Sequence, residues 1–217
     1  MKEHRSISIA DQIFEQLELD ILSGKYQRGE LLSELRLSQE LGVSRTPIRE
    51  AIRRLEQERI LEDSGRGVVV VGISRQDMLD MYEIRARIEG FAAERAAENI
   101  SEELVQKMRE TVELQRFYAA KSDSEYSAQI RNLDSDFHEL LYRATGSRPL
   151  YDTLLSLHKK MAKFRMASVS KRSRALQSVE EHAAIAEALS SRDKAAARQA
   201  VERHVEAARA RMQDMED

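Results

Sequence analysis

The chain contains no cysteine and no tryptophan, and only 2 prolines and 8 glycines among 217 residues. Without thiols it cannot form disulfides, ligate an iron–sulfur cluster, build a thiolate zinc site or use a cysteine nucleophile. So few turn formers argue against a long β-sandwich, which needs turn residues between many short strands. No apolar run approaches the roughly 18–20 residues that a membrane-spanning helix requires. The opening Met1-Lys2-Glu3-His4-Arg5 lacks the apolar stretch of a secretory signal. An excess of one charge is missing too: 35 Lys/Arg stand against 38 Asp/Glu, with 11 against 13 in residues 1–73 and 24 against 25 in residues 74–217. Nucleic-acid-binding domains are often basic as a whole, so any such role here has to rest on where the charges stand. The remainder is 41% apolar and 34% charged, dominated by Leu, Ala, Glu and Arg, which favour helix. This composition predicts a cytoplasmic, mainly helical protein with no membrane partner, long enough for two domains.

The pattern changes near residue 73. Before it, apolar spacing predicts helices over 8–23, 33–41 and 44–58, the first with a stripe of Ile9, Ile13, Phe14, Leu17 and Ile21 facing a core. Gly24 stands where a left-handed cap is wanted, and Pro47 lies in a first turn, where its missing N–H is harmless. The run Gly67-Val68-Val69-Val70-Val71 is the one convincing β-segment. After residue 73, helical periodicity predicts segments at 75–98, 101–120, 124–145, 148–168, 172–190 and 193–215, an antiparallel six-helix bundle. The predicted domains are 1–73 and 74–217.

Two short helices joined by Leu41-Gly42-Val43-Ser44 have helix-turn-helix spacing, with Gly42 permitting the turn and Val43 filling the angle. The second places Arg45, Arg49 and Arg53 four residues apart on one face, while Ile48, Ile52 and Leu55 face inward. Ser44 and Thr46 add hydroxyls beside the free N–H groups of a helix start. These are parts that grip phosphates, and arginine also pairs with guanine edges in the major groove. Ile60-Leu61-Glu62-Asp63 and 67–71 read as a two-stranded wing with Arg66 at its tip, within reach of a minor groove or a phosphate.

The run LGVSRTPIREAIRRL, with ILSGKYQRGELLSE before it and GRGVVVV after it, resembles the winged helix-turn-helix of GntR-type bacterial transcription regulators across residues 8–72. The resemblance implies dimeric binding to a double-stranded DNA operator, with Arg45, Thr46 and Arg49 at the DNA and Gly67 near the minor groove. This sequence departs from the family pattern in two places. Leu35 stands where some members carry a basic residue, with Arg36 beside it as a candidate substitute, and Arg28 replaces a frequent proline before Gly29.

In the second half, Asp134 and His138 lie i, i+4 on a face shared with Phe137 and Leu141. His182 falls on a stripe with Ile185, Ala186 and Leu189, and His204 among Val201, Val205 and Ala208. Unpaired polar groups inside an apolar bundle cost kilocalories each. Residues 182 and 204 are equidistant from Asp193, at the expected turn between the last two helices, so they stand level across that hairpin. One carboxylate and three imidazoles suit Zn²⁺, Ni²⁺ or Mn²⁺, with coordination positions to spare. Asp136, two residues from His138, points elsewhere. His158, beside Lys159 and Lys160, is expected at the surface, and His4 in an amino-terminal tail.

The segments MYEIRARIEGFAAERAA, DSDFHELLYRATGS and EHAAIAEALSSRD, followed by His204, resemble the FCD effector domain of the FadR subgroup of GntR regulators, in its shorter, VanR-like form. That resemblance implies Asp134, His138, His182 and His204 as metal ligands and a small organic acid bound beside the ion. An acid's carboxylate calls for an arginine. Arg85 is the leading anchor, with a buried Arg85–Glu89 pair as the competing role, and Arg131 and Arg165 are further candidates. The expected function is that of a homodimeric regulator, a repressor by the commoner family mode, controlled by that acid. Two alternatives stand beside it. One is a regulator whose effector is the cation itself. The other is a metal-dependent hydrolase, against which counts the lack of a further inward acid or histidine to serve as general base.

Overall fold

The computed structural model describes residues 8–121, 127–168 and 172–213, without the side chains of 127, 162–168, 172–174 and 213. His4 and the Arg165 side chain therefore lie outside the described residues. The chain divides between Ser74 and Arg75 into two compact units.

In the first unit, α1 (Ile9–Leu22) opens on a capping box: Ser8 Oγ accepts from the Asp11 amide and the Asp11 carboxylate accepts from the Ser8 amide. Ser33 caps α2 (Glu34–Leu41) by accepting from the Arg36 amide, and α2 stops at Gly42, whose φ of 66° closes the turn. Next comes α3 (Arg45–Gln57). Its Ile48, Ala51, Ile52 and Leu55 join Ile13, Leu17 and Ile21 of α1 in one core, with Val43 packed against it. Ile9, expected on that stripe, is exposed in the first turn of α1, whose buried residue is Ala10.

The wing is larger than expected. β1 (Leu31–Leu32), β2 (Leu61–Asp63) and β3 (Val68–Val70) form an antiparallel sheet in the order β1-β3-β2, with Leu31 opposite Val69 and Leu61 opposite Val70. A two-residue strand is too short to show a period of two, so β1 left no trace in the sequence pattern. Gly67 makes this junction possible: at φ 145°, a Cβ there would stand 2.5 Å from the Leu32 carbonyl oxygen. Gly67→Ala is expected to force β1 from β3 and to cost roughly 1–3 kcal/mol, measured by chemical denaturation of the full chain. A loss below about 0.5 kcal/mol, the scatter of an ordinary surface substitution, would contradict the close approach.

The second unit is a bundle of α4 (Arg75–Asn99), α5 (Glu102–Lys121), α6 (Ser127–Ala144), α7 (Arg148–Ser168), α8 (Arg172–Ser190) and α9 (Lys194–Gln213). These bounds follow the expected segments closely. The expected starts at 124–126 and ends at 214–215 lie outside the described residues. Ser101, Gly146 at φ 65° and Asp193, which accepts from the Ala196 amide, mark three of the breaks. The principal packing is α4 on α9, with α5 against α6 and α8. Ala92, Ala93, Ala96, Ala97, Phe137, Leu141, Leu189 and Val205 are buried between them. Among the described residues no helix is long and apolar enough to cross a membrane. Arg85, Glu89, Gln115, His138, His158, His182 and His204 are among the polar side chains buried in this unit. Such burial is costly unless it is compensated.

Candidate functional site

On the first unit, Ser44 precedes α3 in extended conformation and its hydroxyl makes no capping bond. Ser44, Arg45, Thr46, Arg49 and Arg53 are all exposed, and Arg66 is exposed at the wing tip. A cleft of about 310 Å³ is lined by Arg49 and Arg53 of α3, by Gly67 and Val68 of the wing, and by Glu34 of α2. The structure thus brings helix and wing candidates to one surface. Arg36 is engaged elsewhere: its guanidinium donates to Glu30 at 2.8 Å and Glu40 at 2.7 Å and lies over the Tyr26 ring. Leu35 beside it is 57% exposed.

Arg45 and Arg49 share one acid. Arg49 Nε donates to Glu34 Oε1 at 2.8 Å and its Nη2 to Oε2 at 3.0 Å, while Arg45 Nε and Nη2 donate to Oε2 at 3.2 and 2.9 Å. The Arg49 hydrogen bonds outweigh partial burial and, with those of Arg45, hold the Glu34 carboxyl down to about 2.

In the second unit, α6, α8 and α9 bring His138, His182 and His204 together, each with a ligand nitrogen within 4.8 Å of the others. Asp134, one turn before His138, places Oδ1 at 3.8 Å from His182 Nε2 and 4.0 Å from His138 Nε2. Donors about 2.1 Å from one ion stand roughly 3–4 Å from one another, so these separations suit ligands around a cation better than direct hydrogen bonds. His204 and His182 are level across the α8–α9 hairpin, their ring centroids 4.8 Å apart.

Two of the rings are oriented from behind. His182 Nδ1 donates to Gln115 Oε1 at 2.9 Å and His204 Nδ1 to Glu181 Oε2 at 2.7 Å. A carboxylate only accepts, so His204 Nδ1 carries a proton and Nε2 is the nitrogen left to face an ion, the arrangement common in ligating histidines. His138 has neither ring nitrogen hydrogen-bonded, although the side chain is fully buried. Burial, reinforced by the neighbouring His158, Arg85, His204 and His182, pushes it well below the usual histidine value, so it stays a neutral donor. A buried, neutral imidazole whose Nε2 makes no hydrogen bond and faces Asp134 Oδ1 suits a metal ligand, which binds through one ring nitrogen. The residues present fit a divalent cation.

Arg85 takes the competing role considered for it. Its Nε and Nη2 donate to Glu89 at 2.7 and 3.1 Å, and both side chains are 1% exposed. Tyr142 donates to the same carboxylate at 2.6 Å. Arg131 lies half-buried on α6 one turn before Asp134, and Asp136 is exposed, lining a surface groove with Lys107 and Glu139.

His158 corrects the expectation of exposure. It is 2% exposed, its ring centroid 4.5 Å from that of His138 and its Nδ1 3.4 Å from the Tyr142 hydroxyl. Leu154 and Met161, four residues before it and three after, are fully buried and place it on the inner stripe of α7. That periodicity was a better guide than the adjacent lysines. Glu181 adjoins His182, the residue level with His204 across the same hairpin, and so stood next to a position that the sequence did mark. Gln115 gave no signal, because nothing local tells which helix α5 packs against.

The FCD domain family matches residues 80–207, and the family of bacterial regulatory proteins called gntR matches residues 9–71. The chain is 31% identical over 197 residues to the HTH-type transcriptional regulator YdhC of Bacillus subtilis, covering 89% of this chain and 86% of that protein. It is 28% identical to the HTH-type transcriptional repressor RspR of Escherichia coli, over 91% of this chain and 86% of that one. Identity to the gluconate operon transcriptional repressor of B. subtilis is 33%, over 59% of this chain and 52% of the relative. Among solved structures, E. coli McbR/YncC has the same fold, with a TM-score of 0.74 at 22% identity over 95% of this chain and 98% of that one. These relatives are transcription regulators rather than enzymes. The chain belongs to the GntR family of bacterial transcription regulators, with a GntR helix-turn-helix domain followed by an FCD domain.

Proposed function

We propose that this regulator is a cytoplasmic homodimeric repressor whose hold on a double-stranded operator is set by a small carboxylic acid bound beside a divalent ion. Asp134, His138, His182 and His204 would hold the ion, and the observation that carries this reading is the buried His138 with neither nitrogen satisfied. Bound there, Zn²⁺, Ni²⁺ or Mn²⁺ supplies positive charge and open coordination positions that a carboxylate can fill. Arg85, already committed to a carboxylate, is chemically suited to the acid's other oxygens, and binding there would compete with Glu89; Arg131 is the second candidate. Homodimerisation is supported by an apolar stripe on α4. Met81, Ile84, Ile88 and Phe91 recur at the spacing of a coiled-coil seam, and Ile84 and Phe91 are each 48% exposed. Repression is supported by the names of two relatives, RspR and the gluconate operon repressor.

The test is a binding titration of the full chain on duplexes selected from random DNA, with the protein loaded with Zn²⁺, Ni²⁺ or Mn²⁺ and acetate, malonate and gluconate as probe carboxylates. Affinity is expected to fall steeply with salt, as counterions released from phosphates demand. Arg49→Ala is expected to weaken selected-site binding by about 1–3 kcal/mol; a flat salt response together with an unaffected variant would count against this DNA face. A carboxylate should loosen the complex of the loaded protein and not that of the stripped one. Loss of operator binding on chelation, restored by metal alone and indifferent to every acid, would make the cation the effector.

A further inference from the structure

We propose that Glu34 sets the sequence discrimination of the DNA-binding face by positioning Arg45 and Arg49, an inference that rests on the operator-binding reading. A guanidinium has two edges able to make paired hydrogen bonds, the Nε–Nη2 side and the Nη1–Nη2 end. Glu34 takes the same edge of both arginines: Nε and Nη2 of Arg49 and Nε and Nη2 of Arg45 all donate to its one carboxylate. The Nη1–Nη2 end of each is the edge left for a guanine, whose O6 and N7 accept such a pair.

The acid stands on the first residue of α2, and the arginines on the first and fifth of α3. The geometry is therefore fixed by the helix-turn-helix itself, not by a mobile loop. All three side chains are partly exposed, so the cluster lies where DNA can reach it. Two consequences follow. Side chains tethered at one edge lose less rotamer freedom when they meet a base, which favours the matched sequence. One carboxylate between two guanidinium groups also lowers the local positive charge, which weakens the sequence-independent attraction to phosphates. Glu34 thus raises specific over non-specific binding from both directions.

The experiment compares wild type and Glu34→Gln, as full chains, on the duplex that wild type selects from a random pool and on a scrambled duplex of the same composition at one salt concentration. Glu34→Gln is expected to bind the scrambled duplex several-fold more tightly, and its specific-to-scrambled ratio to fall roughly tenfold or more, the worth of one good bidentate base contact. Replacing the selected guanines with 7-deazaguanine, which lacks N7, should weaken wild type strongly and the variant little. A ratio within twofold of wild type overturns the proposal. So does an equal gain on both duplexes, which would make Glu34 only a brake on phosphate attraction. If wild type enriches no sequence at all, the operator reading itself fails and this one with it. Glu34→Ala serves as a second variant, and thermal melting of both variants checks that any loss of discrimination is not a loss of fold.

Discussion

Exchanging His138 for alanine is expected to strip the protein of its divalent ion. Wild type loaded with Zn²⁺ should emerge from gel filtration with near-stoichiometric metal, and His138→Ala with almost none, as read by elemental analysis. The reason lies in how the ring is held. His182 and His204 have hydrogen-bond partners behind them in Gln115 and Glu181, whereas both nitrogens of His138 are buried and unsatisfied. An ion would satisfy one of these two nitrogens and so offset part of the cost of burying the ring. A graded control separates ligation from packing. Gln115→Met keeps the volume and removes the acceptor behind His182, so it should weaken retention about 10–100-fold without abolishing it. Stoichiometric metal in His138→Ala would remove this residue from the ligand set.

Cutting Glu89 back to alanine should be the most damaging single change to stability. It removes two hydrogen bonds and the compensating charge from Arg85, whose side chain is 1% exposed. Breaking a buried ion pair from one side costs about 3–5 kcal/mol. For a unit of this size that corresponds to roughly 10 °C or more in Tm by calorimetry of the full chain. The double variant Arg85→Met with Glu89→Leu removes both charges at similar volume and should recover most of the loss, since apolar replacement of a whole buried pair is often neutral. Failure of the double variant to recover would mean that the polar cluster, including Tyr142, which donates to Glu89, has a structural worth beyond charge compensation. The same pair bears on effector control. An acid engaging Arg85 would have to displace a carboxylate already in place, so its affinity would depend on the charge the metal contributes nearby.

Legibility differed sharply between local and non-local features. The boundaries of α2 and α3 were readable because Ser33, Gly42, Ser44 and Pro47 act within four residues of themselves. The level placement of His182 and His204 was readable because a short hairpin at Asp193 leaves one way for two antiparallel helices to align. The strand β1 was not readable, being two residues long and paired with β3 across more than thirty residues of chain. His158 was misjudged because its charged sequence neighbours were weighed above the buried Leu154 and Met161 on its own face.

The amino-acid sequence by itself determined the order of helices, the helix-turn-helix with its arginine face, a division near residue 73 and the four metal-ligand candidates. The division follows from a change of pattern along the chain, and the others from spacing along one helix or across one turn. Tertiary structure decided which charged and polar groups meet across elements. It gave Arg36 to Glu30, His182 to Gln115, His204 to Glu181, and both Arg45 and Arg49 to Glu34. Helical periodicity assigns a side chain to a face, but an ion pair needs its partner within about 4 Å, and which helix supplies that partner is settled only when the bundle packs.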